Sequence, residues 1–106
     1  MHGGSTIHFP VVMTSPDVAP AAELFKVLSS TARLKLLVAL IEAPSDVGSL
    51  AAATDLSQPL ASQHLRTLRL AGLVDVERTG RSAIYSVTDR HVSHIIGDAI
   101  AHAEER

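Results

Sequence analysis

Residues 54–87, TDLSQPLASQHLRTLRLAGLVDVERTGRSAIYSV, change their hydrophobic period once, and that change constrains the fold more than any other feature of the chain. A tight polar turn at Thr54-Asp55 leads to Ser57, a helix N-cap residue, and Pro59 is tolerated in the first turn, where no amide donor is needed. The helix then runs to Ala71 and is ended by Gly72. Leu60, Leu65 and Leu68 supply its expected inner face. Immediately afterwards Val74 and Val76 alternate with Asp75 and Glu77, the alternation breaks at Thr79-Gly80, and it resumes through Ala83, Tyr85 and Val87. That is the pattern of a β-hairpin.

Upstream, the chain is helical. Ser15-Pro16 predicts the N-terminus of a first helix carrying Ala21, Leu24, Phe25, Val27 and Leu28. Ser29-Ser30-Thr31 interrupts it. A second helix carries Leu34, Leu37, Val38 and Ile41 and is ended by Pro44-Ser45, and Asp46 caps a short third helix, VGSLAAAT. A last helix lies in DRHVSHIIGDAIAHAEER. The expected architecture is mainly α with a small β-hairpin, in the order α1-α2-α3-α4-β1-β2-α5.

Residues 1–15, rich in Gly, Ser, Thr and Pro, read as a flexible arm, and residues 16–106 as one domain. Hydrophobic residues make up 46% of the chain but aromatics only 3%, so the core must be aliphatic. At 106 residues a monomer buries its surface only modestly, which makes a partner subunit plausible. With no cysteine there is no disulfide framework, thiolate metal site or thiol switch. Leu36 to Ile41, the longest apolar run, is far short of a membrane span, and no signal peptide is recognisable. A cytoplasmic protein is expected, without a membrane partner.

A turn between two short helices, followed by a hairpin, is a winged helix-turn-helix. Short amide and hydroxyl side chains near the start of the second helix suit base edges in a major groove, and arginines suit phosphates or guanine. Ser57, Gln58, Ser62, Gln63, His64 and Arg66 on that helix, with Arg78 and Arg81 flanking the hairpin tip, are the candidate contacts to double-stranded DNA. Between Ser57 and Arg81 four arginines face two acids, a local excess of positive charge in a chain whose formal net charge is −2. A surface helix of ordinary solvated residues is the plainer reading of the same composition.

The segments ELFKVLSSTARLKLLVAL, LSQPLASQHLRTLRLAGLV and RTGRSAIYSV resemble the ArsR/SmtB family of bacterial winged-helix regulators, and the likeness runs from about Glu23 to the C-terminus. The resemblance implies a homodimer paired through its first and last helices, bound to a palindromic operator, with the helix starting at Ser57 as the recognition helix. Ser62, Gln63 and His64 fall in the family's S-x-H-L segment, which makes His64 a DNA or framework residue rather than a metal ligand. The cysteine pair that the family often carries before the turn has no counterpart in SDVGSL.

The last helix holds three of the six histidines. His91 and His102 are separated by about 1100° of helical rotation, about 20° past three full turns, and by a rise of about 16 Å. They share a face, but ligands of one ion lie about 2 Å from it, so the two cannot bind the same ion within one chain. Two copies of the helix laid antiparallel about a twofold axis near Gly97 bring His91 of one opposite His102 of the other, and Asp89 opposite Glu105. Each dimer then has two equivalent sites. The pattern Asp89-x-His91…His102-x-x-Glu105 resembles the interhelical site of the family's zinc and nickel/cobalt sensors.

Oxygen and nitrogen donors suit zinc, cobalt or nickel. Resemblance of RSAIYSVTDRHV and DAIAHAEE to the nickel/cobalt-sensing branch favours nickel, with cobalt and zinc as alternatives. His2 or His8 on the arm could add ligands, although the chain ends at Arg106 without the histidine-bearing tail of some such sensors. An intrachain set of His94, Asp98 and His102, solvated helical ion pairs, and a metal-independent regulator controlled by a partner are the competing readings. A small metalloenzyme would need further acid–base groups and a substrate cleft, which the sequence does not offer. The chain is expected not to be an enzyme.

Overall fold

The computed structural model describes residues 15–105. The N-terminal arm, with His2 and His8, lies outside the described residues apart from Ser15. The elements run α1 (Ala19–Leu28), α2 (Thr31–Glu42), α3 (Val47–Thr54), α4 (Gln58–Leu70), β1 (Val74–Thr79), β2 (Ser82–Val87) and α5 (Arg90–Glu104). This is the expected order, and it forms a winged helix-turn-helix.

Caps account for most boundaries. The Ser30 hydroxyl accepts from the Arg33 amide at 3.2 Å and starts α2, and the Ser57 hydroxyl accepts from the Leu60 amide at 3.2 Å and starts α4. Asp46 starts α3, accepting from the Ser49 amide at 2.8 Å and from its hydroxyl at 3.1 Å. These hydrogen bonds, the backbone one foremost, hold the Asp46 carboxyl below its ordinary pKa. The turn after α3 uses Asp55 at φ 58°, a left-handed conformation that aspartate tolerates better than most residues.

One boundary departs from expectation. Helix α1 begins at Ala19, with Val18 as N-cap, rather than behind Ser15. Pro20 is the cause. Had the helix started at Pro16, Pro20 would sit beyond the first turn, where its missing N–H removes a helical hydrogen bond and its ring clashes with the preceding turn. Starting at Ala19 places Pro20 where no donor is required, and the Asp17 carboxylate instead accepts from the Ala19 amide at 3.0 Å.

The core is aliphatic and runs from Leu28 of α1 through Leu36, Leu37 and Leu40 of α2, Leu50 of α3, Leu65 and Leu68 of α4 and Val74 of β1 to Val92 and Ile96 of α5, with Tyr85 and Val87 of β2 packed partly against it. In α4 the buried stripe is Ala61, Leu65 and Leu68, while Leu60 is 40% exposed. The stripe follows i, i+4, i+7, and Leu60 lies about 100° away from it. Similarly, α2 buries Leu36, Leu37 and Leu40 and leaves Val38 exposed, and Phe25 of α1 is 58% exposed.

The hairpin pairs Val74 with Val87, Val76 with Tyr85 and Arg78 with Ala83. Gly80, at φ 61°, opens its two-residue loop. Ser45 and Tyr85 exchange backbone hydrogen bonds at 3.0 and 2.8 Å, which fastens the hairpin to the α2–α3 connection. No helix among the described residues is long and apolar enough to cross a membrane.

Candidate nucleic-acid interface and metal centre

The buried stripe of α4 sets the direction of every other side chain on it. With about 100° per residue, Gln63 points most directly away from the core, and Ser62, Arg66, Gln58 and Arg69 lie along one edge beside it. All five are exposed. No acidic residue lies in the first turn of α4, so the helix N-terminus keeps its positive end toward solvent. Ser57 is engaged as the cap. A Cβ added at Gly48 would lie 3.3 Å from the Gln58 amide nitrogen, so the absence of a side chain there lets Gln58 rest over the start of α3.

His64 is placed differently from its neighbours. It lies on the opposite flank of α4, half-buried, and its Nδ1 accepts a hydrogen bond from Arg33 Nε at 3.3 Å. The same guanidinium donates to the Val27 carbonyl at 2.9 Å. Arg33 belongs to α2 and was not among the candidates. Only a pairing across 31 residues reveals it, and nothing local in the sequence signals such a pair.

Arg78 and Arg81 are both exposed at the far end of the hairpin. Arg78 shares a face with Val74 and Val76, but the hairpin there has passed beyond the body of the domain. Arg81 occupies the loop itself. The hairpin and α4 are thus connected through Gly72 and Leu73, and the Leu73 carbonyl accepts from the Thr88 amide at 3.1 Å.

In α5, Val92 and Ile96 are buried, and Ile95 and Ile100 pack partly against the core. Asp89 caps the helix by accepting from the His91 amide at 2.9 Å, and its carboxylate also lies 3.3 Å from His91 Nδ1. These two side chains are therefore already together at one end of the helix. His102 and Glu105 are exposed at the other end, and with His91 and Asp98 they occupy one flank of the helix. A Cβ added at Gly97 would meet nothing within 4 Å. Among the described residues, no three histidine, aspartate or glutamate side chains come together within one chain. The described residues therefore do not assemble His94, Asp98 and His102 into an intrachain site.

The family described as "Bacterial regulatory protein, arsR family" matches residues 30–76, from the cap of α2 into β1. The HTH-type transcriptional repressor SmtB of Mycobacterium tuberculosis is 39% identical over 97 residues, covering 92% of this chain and 72% of that protein. The HTH-type transcriptional regulator NmtR of the same organism is 38% identical over 92 residues, covering 87% and 77%. The homodimeric winged helix-turn-helix DNA-binding domain from Mycobacterium bovis, solved in solution, superposes with a TM-score of 0.77 at 25% identity, covering 89% and 92% of the two chains.

Proposed function

The chain belongs to the ArsR family of bacterial regulatory proteins, and on that premise we propose that it is a metal-responsive transcriptional repressor that binds a palindromic operator as a homodimer. The family is one of regulators rather than enzymes. In this reading α4 enters the major groove, with Gln58, Ser62 and Gln63 toward base edges and Arg66 toward phosphate. Arg78 and Arg81 of the hairpin reach the flanking backbone. Ser57 acts as the cap that presents the helix. Such a protein works in the cytoplasm, where the operator is.

The exposed flank of α5 carries the metal part of the proposal. Asp89 and His91 of one subunit, with His102 and Glu105 of its partner subunit, would hold the ion, and a dimer would have two such sites. Two carboxylates and two imidazoles fit nickel, cobalt or zinc, and likeness to the nickel/cobalt branch favours nickel. The ion would supply a crosslink between subunits. Pairing through the terminal helices is supported by the open space at Gly97 and by Val18, the N-cap of α1, and Phe25 of α1, left 68% and 58% exposed.

Recognition helices of a dimer must lie about 34 Å apart to read successive major grooves. A dimer drawn by its α5 ligands into another spacing binds the operator less well, and the coupling is equal in both directions. Titrating nickel, cobalt and zinc into the protein while following operator affinity tests this. Release of operator by nickel at the lowest concentration is the expected result. Release by zinc instead would move the assignment to a zinc-responsive repressor, and no response to any of the three would sink the metal-responsive reading.

A further inference from the structure

Arg33 meets three separate needs of the fold. Its amide is the donor that the Ser30 cap accepts, at 3.2 Å. One guanidinium nitrogen donates at 2.9 Å to the carbonyl of Val27, in the last turn of α1, where carbonyls lack helical partners. Its Nε donates at 3.3 Å to His64 Nδ1 on α4. One side chain thus ties the end of α1 and the start of α2 to the flank of the recognition helix. An imidazole that accepts at Nδ1 is neutral and carries its proton on Nε2.

We propose that Arg33 and His64 are positioning residues for DNA recognition: neutral His64 pins α4 against the α1–α2 junction, and protonation of His64 releases the pin, so that operator affinity falls in acid. This rests on the DNA-binding reading of α4. Protonated His64 has no lone pair for Arg33 and places a second cation beside the guanidinium.

Among the described residues, no acid pairs with His64 to offset that. The ion pairs among the described residues are Glu23–Lys26, at 3.5 Å, and Asp89–His91, so no carboxylate of the described residues lies within 4.0 Å of a His64 ring nitrogen. On α2, α3 and β1, which pack against α4, the other charged groups are Lys35 and Glu42 of α2, Asp46 and Asp55 at the ends of α3, and Asp75, Glu77 and Arg78 of β1, while Glu23 and Lys26 of α1 pair with each other. Arg66 and Arg69 of α4 itself lie toward its other edge.

The sign of the effect separates positioning from contact. A histidine touching phosphate would bind DNA more tightly when protonated, as an added cation. The test uses the full chain, free of metal, and a 30-base-pair duplex selected by that protein from a random library at about pH 8. Affinity is then measured at about pH 8 and about pH 5.5, which bracket the range in which imidazoles take up a proton, at constant ionic strength. Wild type is expected to weaken by about tenfold in acid, the scale of one hydrogen bond lost from a charged donor. His64→Asn, whose amide oxygen accepts at any pH, should lose that dependence. Arg33→Lys keeps the charge but lacks the fork that serves two acceptors, and it should also flatten the profile.

Imidazole nitrogen chemical shifts of the wild type at pH 8 provide a readout that needs no variant, and an unprotonated Nδ1 is expected. A wild-type profile that is flat or tightens in acid, an unchanged slope in His64→Asn, or a protonated Nδ1 each overturns the proposal while leaving the DNA-binding reading intact. Failure to select any duplex overturns that reading, and this one with it.

Discussion

Helices α4 and α5 both carry candidate functional side chains on an amphipathic frame, but they differ in how much of the frame one chain supplies. Each flank of α4 is defined by the chain itself: Ala61, Leu65 and Leu68 are buried, Arg33 holds His64, and Gln63 is left pointing outward. In α5 only Val92 and Ile96 are buried, with Ile95 and Ile100 partly so, and the ligand candidates at its two ends stand on an open flank. In the proposed reading the DNA face is assembled in a monomer, whereas the metal face is half a site. A DNA reader must hold several groups in register at once, while a sensor gains its response from a site that is completed only in one quaternary arrangement.

That contrast can be broken at α4 by removing its frame. Leu65 is fully buried, and Leu65→Ala should cost about 2–5 kcal/mol of stability, measured by denaturant unfolding. Operator binding should fall with it. A cost below about 1 kcal/mol would mean that the α4 flanks are not set by this stripe.

The corresponding test at α5 spares the core. His91→Ala and His102→Ala should each weaken metal binding by about a hundredfold or more, beyond what losing a ligand's supporting partner costs. Mixing the two variants is expected to restore half the metal capacity of each heterodimer that forms, because one of its sites then carries both substitutions and the other carries neither. Exchanged heterodimers, verified by mass, that still bind no metal would show that the ligands do not come from two chains. Metal affinity in the wild type should also decline in acid, because a protonated imidazole has no lone pair to offer the ion.

Smaller effects sharpen the division of labour within the DNA face. Gln63→Ala should reduce discrimination between operator and random duplex by about 1–3 kcal/mol, as expected for a base contact. Arg81→Ala should weaken binding to both duplexes alike and reduce the salt slope by about 1. The reverse assignment of these two outcomes would exchange the roles of helix and hairpin. The smallest expected change is at Gly97. Because a Cβ there meets open space, Gly97→Ala should raise the stability of a monomer by up to about 1 kcal/mol. It should weaken the dimer if two α5 helices approach closely at that point, a difference visible in sedimentation as a function of concentration.

Much of this was legible in the chain before folding. Ser30, Asp46, Ser57 and Gly72 mark helix ends because the hydrogen bonds they make, or the φ they adopt, involve residues only a few positions away. The alternation from Val74 to Val87 gives the hairpin its register for the same reason. The α1 boundary was also local: Pro20 bars an earlier start, and Ser15-Pro16 was the weaker of two competing signals. On α5, the spacing from Asp89 to Glu105 is a property of a regular helix and could be laid out without coordinates.

What periodicity alone could not give was the facing of each helix. Leucines at helical spacing leave several adjacent stripes open, and only contact with α2, α3 and β1 selects Ala61 over Leu60 as the inward residue of α4. The same contacts leave Val38 and Phe25 exposed and bring Arg33 to His64 across 31 residues. Caps and turns are encoded within a few residues by short-range hydrogen bonding and backbone sterics. The orientation of one element on another is instead decided by which surfaces exclude water together, and that is a property of the assembled fold.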